Sequence, residues 1–275
     1  MNTQFATIDG LKIRYAISTG SFTEHVLLIS PLPESILAFT PIWKELAESY
    51  NLIAIDLPGL GKSESRMDLF SFITITDFVI KVMDYFRIEA FHIIGPDIGA
   101  PIALYTAAKC ENRVKSVILN GGACVFPLQV DNVLKQIIEA PNLDDFKAFS
   151  VADIINNSLS ELSNYKLPDE IREDYISSYK DGRLFQAMEI LRAYKKDVPL
   201  LDSLIHKIKS PVQIIWGEHD PIAPVSNAYA LHERLSLSKL DILKDGGHYI
   251  WEERASEYTN TIQRWIKSEY LITKK

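Results

Sequence analysis

The sequence predicts an α/β fold: a mostly parallel, twisted sheet flanked by helices, with a helical segment inserted between two of its strands. Three observations predict it. Short, nearly continuous apolar runs recur along the chain, as expected of strands covered on both faces, and helical periodicity fills the stretches between them. One interval, residues 124–205, breaks the alternation with helical patterns and no clear strand. The 275 residues, 47% hydrophobic and 24% charged, suffice for one sizeable core with an insertion.

The elements follow in order. Asp9-Gly10 lies between Phe5-Ala6-Thr7-Ile8 and Leu11-Lys12-Ile13-Arg14-Tyr15. An Asp-Gly pair between alternating runs predicts a tight hairpin, whose turn needs positive φ. Strands are then predicted at His25-Val26-Leu27-Leu28-Ile29, Leu52-Ile53-Ala54-Ile55, Phe91-His92-Ile93-Ile94 and Val117-Ile118-Leu119. Two more follow the inserted segment, at Val212-Gln213-Ile214-Ile215-Trp216 and Leu240-Asp241-Ile242-Leu243. Helices are predicted near 39–49, 73–87, 98–109, 226–235 and 254–268, giving right-handed crossovers. Within the insertion, helical patterns run from Val130 to Glu139 and from Leu184 to Tyr194, punctuated by Pro127, Pro141, Pro168 and Pro199. The division is therefore a core of residues 1–123 and 206–275 with a helical segment at 124–205.

Composition narrows the function classes. A formal net charge of −7 without a basic cluster argues against nucleic acid as a partner. Two cysteines, Cys110 and Cys124, make no disulfide framework and suit a reducing compartment. No apolar run reaches ~18 residues, so no membrane span is read. The start, Met1-Asn2-Thr3-Gln4, lacks a secretory pattern, so a cytoplasmic location is expected. No ligand spacing predicts a metal, and no cofactor is expected. Asp56-Leu57-Pro58-Gly59-Leu60-Gly61-Lys62-Ser63 contains G-x-G-K-S without the longer spacing of a phosphate-binding loop. The expected partner is a small-molecule substrate; oligomeric state is left open.

Three segments carry candidate chemistry. Gly95-Pro96-Asp97-Ile98-Gly99-Ala100 follows a strand and opens a helix, forming G-x-nucleophile-x-G with Asp as the central residue. A carboxylate there can attack a saturated carbon bearing a leaving group and form an alkyl-enzyme ester. Read alone, Asp97 serves equally well as a helix N-cap. Trp216-Gly217-Glu218-His219-Asp220 follows a strand; Asp220 is the candidate acid, with Glu218 and His219 as competitors. Gly246-Gly247-His248 places the candidate base before the terminal helix. The order Asp97, Asp220, His248 is nucleophile, acid, base, each at the carboxyl end of a separate predicted strand. His25 and His92 sit in predicted strands, and His206 and His232 in polar helical contexts, so they read as structural.

Together these segments resemble the α/β-hydrolase superfamily over essentially the whole chain. Asp56 to Ser63 resembles its D-x-P-G-x-G-x-S loop, and residues 124–205 lie where such enzymes carry a helical cap. The Asp nucleophile resembles that of the epoxide hydrolase and haloalkane dehalogenase branch. Ser30-Pro31-Leu32-Pro33-Glu34-Ser35 is similar to the H-G-x-P-E-S segment of epoxide hydrolases, with Ser-Pro in place of His-Gly. The resemblance implies an oxyanion hole from the backbone N–H groups of Leu32 and Ile98, a stiffer loop at Pro31, and a cis bond before Pro33. Pro96 stands where the branch usually has His. Ile98 stands where many members have Trp, the halide donor of dehalogenases.

Epoxide hydrolases use two cap tyrosines. The insertion offers Tyr165, Tyr175, Tyr179 and Tyr194, of which Tyr194 lies closest to the family's second position, making it the candidate substrate-binding residue. Phe126, Phe146, Phe149, Leu159 and Phe185 are candidate walls of an apolar pocket. The implied reaction is hydrolysis of a small, largely apolar substrate, epoxide hydrolase-like, without a metal. Alternatives are a haloalkane or haloacid dehalogenase, or a non-hydrolytic ligand-binding or pathway-specific homologue.

Overall fold

The computed structural model describes residues 1–162 and 165–267. β1 (Thr3–Ile8) and β2 (Leu11–Ser18) form a hairpin; β3 (His25–Ile29), α1 (Thr40–Ala47), β4 (Asn51–Ile55), α2 (Phe72–Tyr85), β5 (Phe91–Pro96), α3 (Gly99–Lys109) and β6 (Val114–Asn120) follow. The next stretch holds α4 (Asn132–Glu139), α5 (Val151–Leu159), α6 (Asp169–Ser178), α7 (Arg183–Met188) and α8 (Tyr194–Asp202). The chain then returns to the sheet through β7 (Val212–Gly217), α9 (Ser226–Arg234), β8 (Ser238–Leu243), α10 (Ile250–Glu253) and α11 (Ala255–Lys267). The strand order is β1-β2-β4-β3-β5-β6-β7-β8. β2 is antiparallel to both its neighbours, and the pairs from β4 to β8 are parallel.

The apolar runs have the expected cause. Every residue of β4 and β5 is buried, because helices cover both faces of the central sheet. The edge strands β1 and β8 are only partly buried and carry more polar residues. At the hairpin, Asp9 and Gly10 both have positive φ, 49° and 79°, and Ile8 pairs with Leu11. Helix starts use side-chain oxygens: Ser71 accepts from the Ile73 N–H before α2, and Asp131 from Leu134 before α4.

Two helical expectations need correction. The pattern from Leu184 to Tyr194 is not one helix. It divides into α7, a 3-10 turn at Glu189–Ala193, and α8. Pro199 does not punctuate: it lies inside α8. The carbonyl that its missing N–H leaves free belongs to Lys195, an exposed residue where water can serve. The terminal helix lies where expected, as α11, and a short helix not expected from the sequence, α10, precedes it.

The β6–β7 segment is fastened to the sheet through α6. Arg14, buried on β2, donates from Nε to Asp56 Oδ2 at 2.5 Å and from Nη1 and Nη2 to Asp174 on α6 at 2.7 and 3.0 Å. Ser35 Oγ donates to Asp174 at 2.9 Å, and Lys62 Nζ pairs with it at 2.5 Å. Asp56 also accepts from the Ile36 and Lys62 N–H groups. The Asp56–Ser63 loop is thus an anchor rather than a phosphate cradle.

Candidate active site

The site gathers where three strands end. Asp97 follows β5 with φ of 51°, in the left-handed region that strains a side-chain-bearing residue. The turn is tight because Gly95 lets strand and helix touch: a Cβ there would stand 2.4 Å from the Gly99 carbonyl oxygen. The Asp97 N–H donates to the Asn120 carbonyl at 2.9 Å, and the Asp97 carbonyl accepts from Ala100 at 3.0 Å. Asp97 is not the N-cap of α3. Ile98 holds that position and makes no side-chain cap.

The Asp97 carboxylate is held by backbone N–H groups. Oδ2 accepts the Leu32 N–H at 2.9 Å, and the carboxylate also accepts the Ile98 N–H. Oδ1 lies 3.9 Å from His248 Nε2, beyond hydrogen-bonding range. Burial raises the Asp97 pKa above its ordinary value and outweighs the opposing pull of His248 and the two N–H groups. The peptide before Pro33 is cis, as the resemblance implied.

His248 Nδ1 lies 2.9 Å from Asp220 Oδ2. The other Asp220 oxygen, Oδ1, accepts the Ile222 and Ala223 N–H groups, each at 2.9 Å. Trp216 on β7 clasps the same loop by donating Nε1–H to the Ala223 carbonyl at 2.9 Å. Burial disfavours the His248 imidazolium, but Asp220, then Asp97 and Asp131, outweigh it, so its pKa is raised. The His248 turn is fixed by Gly247 N–H donating to Glu253 Oε1 at 2.6 Å. Its ring stands edge-on to Tyr249 and Trp251, at 5.0 and 5.6 Å. Gly121, with φ of 64°, lies so close that a Cβ would meet His248 Cε1 at 2.8 Å.

The competitors lie elsewhere. Glu218 and His219 are exposed, and with Asp245 they make an open surface trio whose ligand atoms lie within 4.8 Å of one another. It stands apart from the buried site. Tyr194, at the start of α8, is buried against Phe72 with ring centroids 4.8 Å apart. Burial and then the Asp97 charge push its phenol pKa up. Tyr179 is committed elsewhere: its hydroxyl donates to the Glu34 carbonyl at 2.7 Å and accepts from the Gly61 N–H. Leu159 is buried, and Phe146 and Phe185 are half-buried. Phe126 and Phe149 are 49% and 60% exposed, so they are not walls of an enclosed pocket; each lies in an irregular stretch with no neighbour to cover it.

Two acidic groups beside the site are buried: Glu34, in the segment similar to H-G-x-P-E-S, and Glu252, which no motif singles out. The available signal was Glu252 in the otherwise apolar turn Tyr249-Ile250-Trp251, directly after the candidate base. Tyr175, one of the four candidate tyrosines, donates its hydroxyl to Glu252 Oε1 at 3.3 Å.

Comparison with known proteins places this geometry in context. A family model described as alpha/beta hydrolase fold matches residues 24–255. Over 273 residues the chain is 26% identical to the uncharacterized hydrolase YugF of Bacillus subtilis (strain 168), covering 95% of this chain and 96% of that protein. It is 25% identical over 225 residues to the 2-hydroxy-6-oxononadienedioate/2-hydroxy-6-oxononatrienedioate hydrolase of Escherichia coli (strain K12), covering 79% of this chain and 76% of that one. The structure of the epoxide hydrolase CorEH without ligand is similar with a TM-score of 0.82 at 19% identity, covering 97% of this chain and 99% of that one. This last likeness shows the shared fold.

Proposed function

We propose, since the chain belongs to the alpha/beta hydrolase fold family, that it is a hydrolase of the epoxide hydrolase type, acting on a small, largely apolar substrate through an ester on Asp97. One observation carries this reading. The residue at the strand-to-helix bend is a carboxylate whose Oδ2 accepts the Leu32 N–H at 2.9 Å and whose Oδ1 lies 3.9 Å from an imidazole nitrogen. A serine at this bend would suit acyl transfer. A carboxylate attacking an acyl carbon would give an anhydride, whereas at a saturated carbon it gives a stable ester.

The reaction has two stages. Asp97 Oδ1 bonds to the epoxide carbon, the ring C–O bond breaks, and the freed oxygen takes a proton from a phenol, with Tyr194 as the donor. His248 then accepts a proton from water as that water attacks the Asp97 carboxyl carbon. Asp220 holds the imidazole in the required tautomer. The oxyanion so formed is held by the Leu32 and Ile98 N–H groups; one such donor is worth roughly 3 kcal/mol of barrier. Collapse expels the product oxygen, which takes the proton held by His248, and the second water proton passes from the Asp97 carboxyl to Tyr194, so one water is consumed per turnover. The helices of residues 124–205 act as a cap that excludes bulk water. His248 must be neutral to act as base, so the second stage gains rate as pH rises through its raised pKa.

The test is His248→Gln incubated with styrene oxide. Intact-protein mass spectrometry should show the alkylated chain, and peptide mapping should place the adduct on Asp97. Wild-type turnover in ¹⁸O-water should label the Asp97 carboxylate. Turnover without label there overturns covalent catalysis. Halide release from haloalkanes or haloacids, with no diol from epoxides, transfers the reading to dehalogenation. Tight ligand binding that survives Asp97→Ala without turnover points to a binding protein.

A further inference from the structure

Beside Asp97 the fold buries two carboxyls that the chemistry above does not use. Glu34 lies two residues after Leu32 and is fully buried. Glu252 lies in α10, one turn past His248, and is 2% exposed. Their side chains are within hydrogen-bonding reach of each other. As two anions neither could donate to the other; the donors that face them are the Trp251 indole on Glu34 and the Tyr175 hydroxyl on Glu252.

Among the described residues, the groups that bear on the pair carry no positive charge. From α10 come the Trp251 indole and Glu253; from α6, the Tyr175 hydroxyl; from the segment before α6, Tyr165; from the bend after β5, Asp97; and from beside His248, Tyr249. Two carboxyls in contact without a cation do not both ionise. One proton on Glu34 removes the conflict, because Glu34 then donates to Glu252, which also accepts from Tyr175. Burial, then the Glu252 charge, holds Glu34 well above the usual carboxylate range, and burial holds Glu252 above it as well.

We propose that Glu34 and Glu252 form a one-proton carboxyl pair that positions the site, tying the loop that carries the Leu32 N–H to the turn that carries His248. The catalytic consequence rests on the function proposed above; the pair itself does not. Loss of the shared proton sets two like charges against each other across the site. It pushes the Leu32 loop and the His248 turn apart and adds negative charge beside Asp97, where the oxyanion must form. The active form is therefore the protonated pair, and activity falls as the pair ionises.

Infrared difference titration of the whole chain tests the pair without a substrate. A protonated-carboxyl C=O band should persist above the ordinary glutamic acid range, vanish in Glu34→Gln and survive Asp97→Asn. Absence of that band in the wild type, or its survival in Glu34→Gln, overturns the proposal. The His248 proton resonances test the positioning role. They should titrate with a second inflection as the pair ionises, and Glu252→Gln should reduce this to a single inflection. A wild-type titration with one inflection overturns it, as does a second inflection retained in Glu252→Gln. With styrene oxide as probe, the alkaline decline in kcat should be lost in Glu252→Gln while KM stays within a few fold. Superimposable profiles overturn the catalytic consequence. No turnover of any epoxide, with both spectroscopic signatures intact, counts against the proposed function and supports the pair.

Discussion

Two neighbouring residues of α6 meet the rest of the fold through opposite electrostatics. Asp174 enters a balanced cluster: Arg14 and Lys62 oppose Asp56 and Asp174, and Ser35 and backbone N–H groups supply further bonds. Tyr175, the next residue, meets Glu252, whose partner is a second carboxyl. Both junctions are buried, yet the outcome differs. Burial works against ionised Asp174, and Arg14 overcomes it, so its pKa falls below the ordinary value. Glu34 has no such counter-charge, and its pKa rises. The facing charge and the depth of burial decide the direction together: Asp56, beside the same Arg14 but fully buried, has its pKa raised by burial. One junction is a fixed clasp, and the other is sensitive to protons.

The largest effect should come from removing the cation. Arg14→Met leaves Asp56 buried without its cation and Asp174 with Lys62 and Ser35, and should cost about 3–5 kcal/mol at neutral pH, measured by urea denaturation. The deficit should shrink in acid. Asp174 has a depressed pKa in the fold, so its stabilising contribution is present above the ordinary value of 3.8 and lost as pH falls. A deficit independent of pH would mean that the cluster is not charge-balanced.

Ser35→Ala should cost less, about 1.5–3 kcal/mol, because the bidentate Arg14 contact to Asp174 persists. The same denaturation series measures it. A loss equal to that of Arg14→Met would place the strength of the clasp in the hydroxyl.

Glu252→Gln should have the smallest effect on stability, and one that changes with pH. A glutamic acid whose folded pKa is raised above the ordinary 4.5 favours the fold fully below that value and progressively less as pH rises toward the folded pKa. Melting temperature against pH should thus fall less steeply in the variant over this range, with near-coincident curves in acid. Parallel curves throughout would place the pair in the same class as the Asp174 clasp.

The legibility of the molecule follows the range of its interactions. The bend at Asp97 is local: Gly95 and Gly99 announce it, and the strand runs on either side are continuous because both sheet faces are covered. The juxtaposition of Asp97, Asp220 and His248 followed from chain order and strand ends. The choice among Glu218, His219 and Asp220 did not, since it depends on the Trp216 clasp and the N–H groups of Ile222 and Ala223. The two α6 junctions were hidden for a related reason. Arg14 and Asp174 are 160 positions apart, and no periodicity links them. The segment between β6 and β7 was least legible, because its short helices pack mainly on one another, and local periodicity does not give the division at Glu189–Ala193.

The backbone grip on Asp97 also bears on handedness. With Oδ2 held by the Leu32 N–H, Oδ1 presents its lone pair along one fixed line. Under the proposed chemistry, displacement along that line turns the attacked carbon inside out, while later cleavage at the carboxyl leaves that centre untouched. A carboxylate so anchored would thus make a chiral epoxide yield a diol of inverted configuration at the attacked carbon.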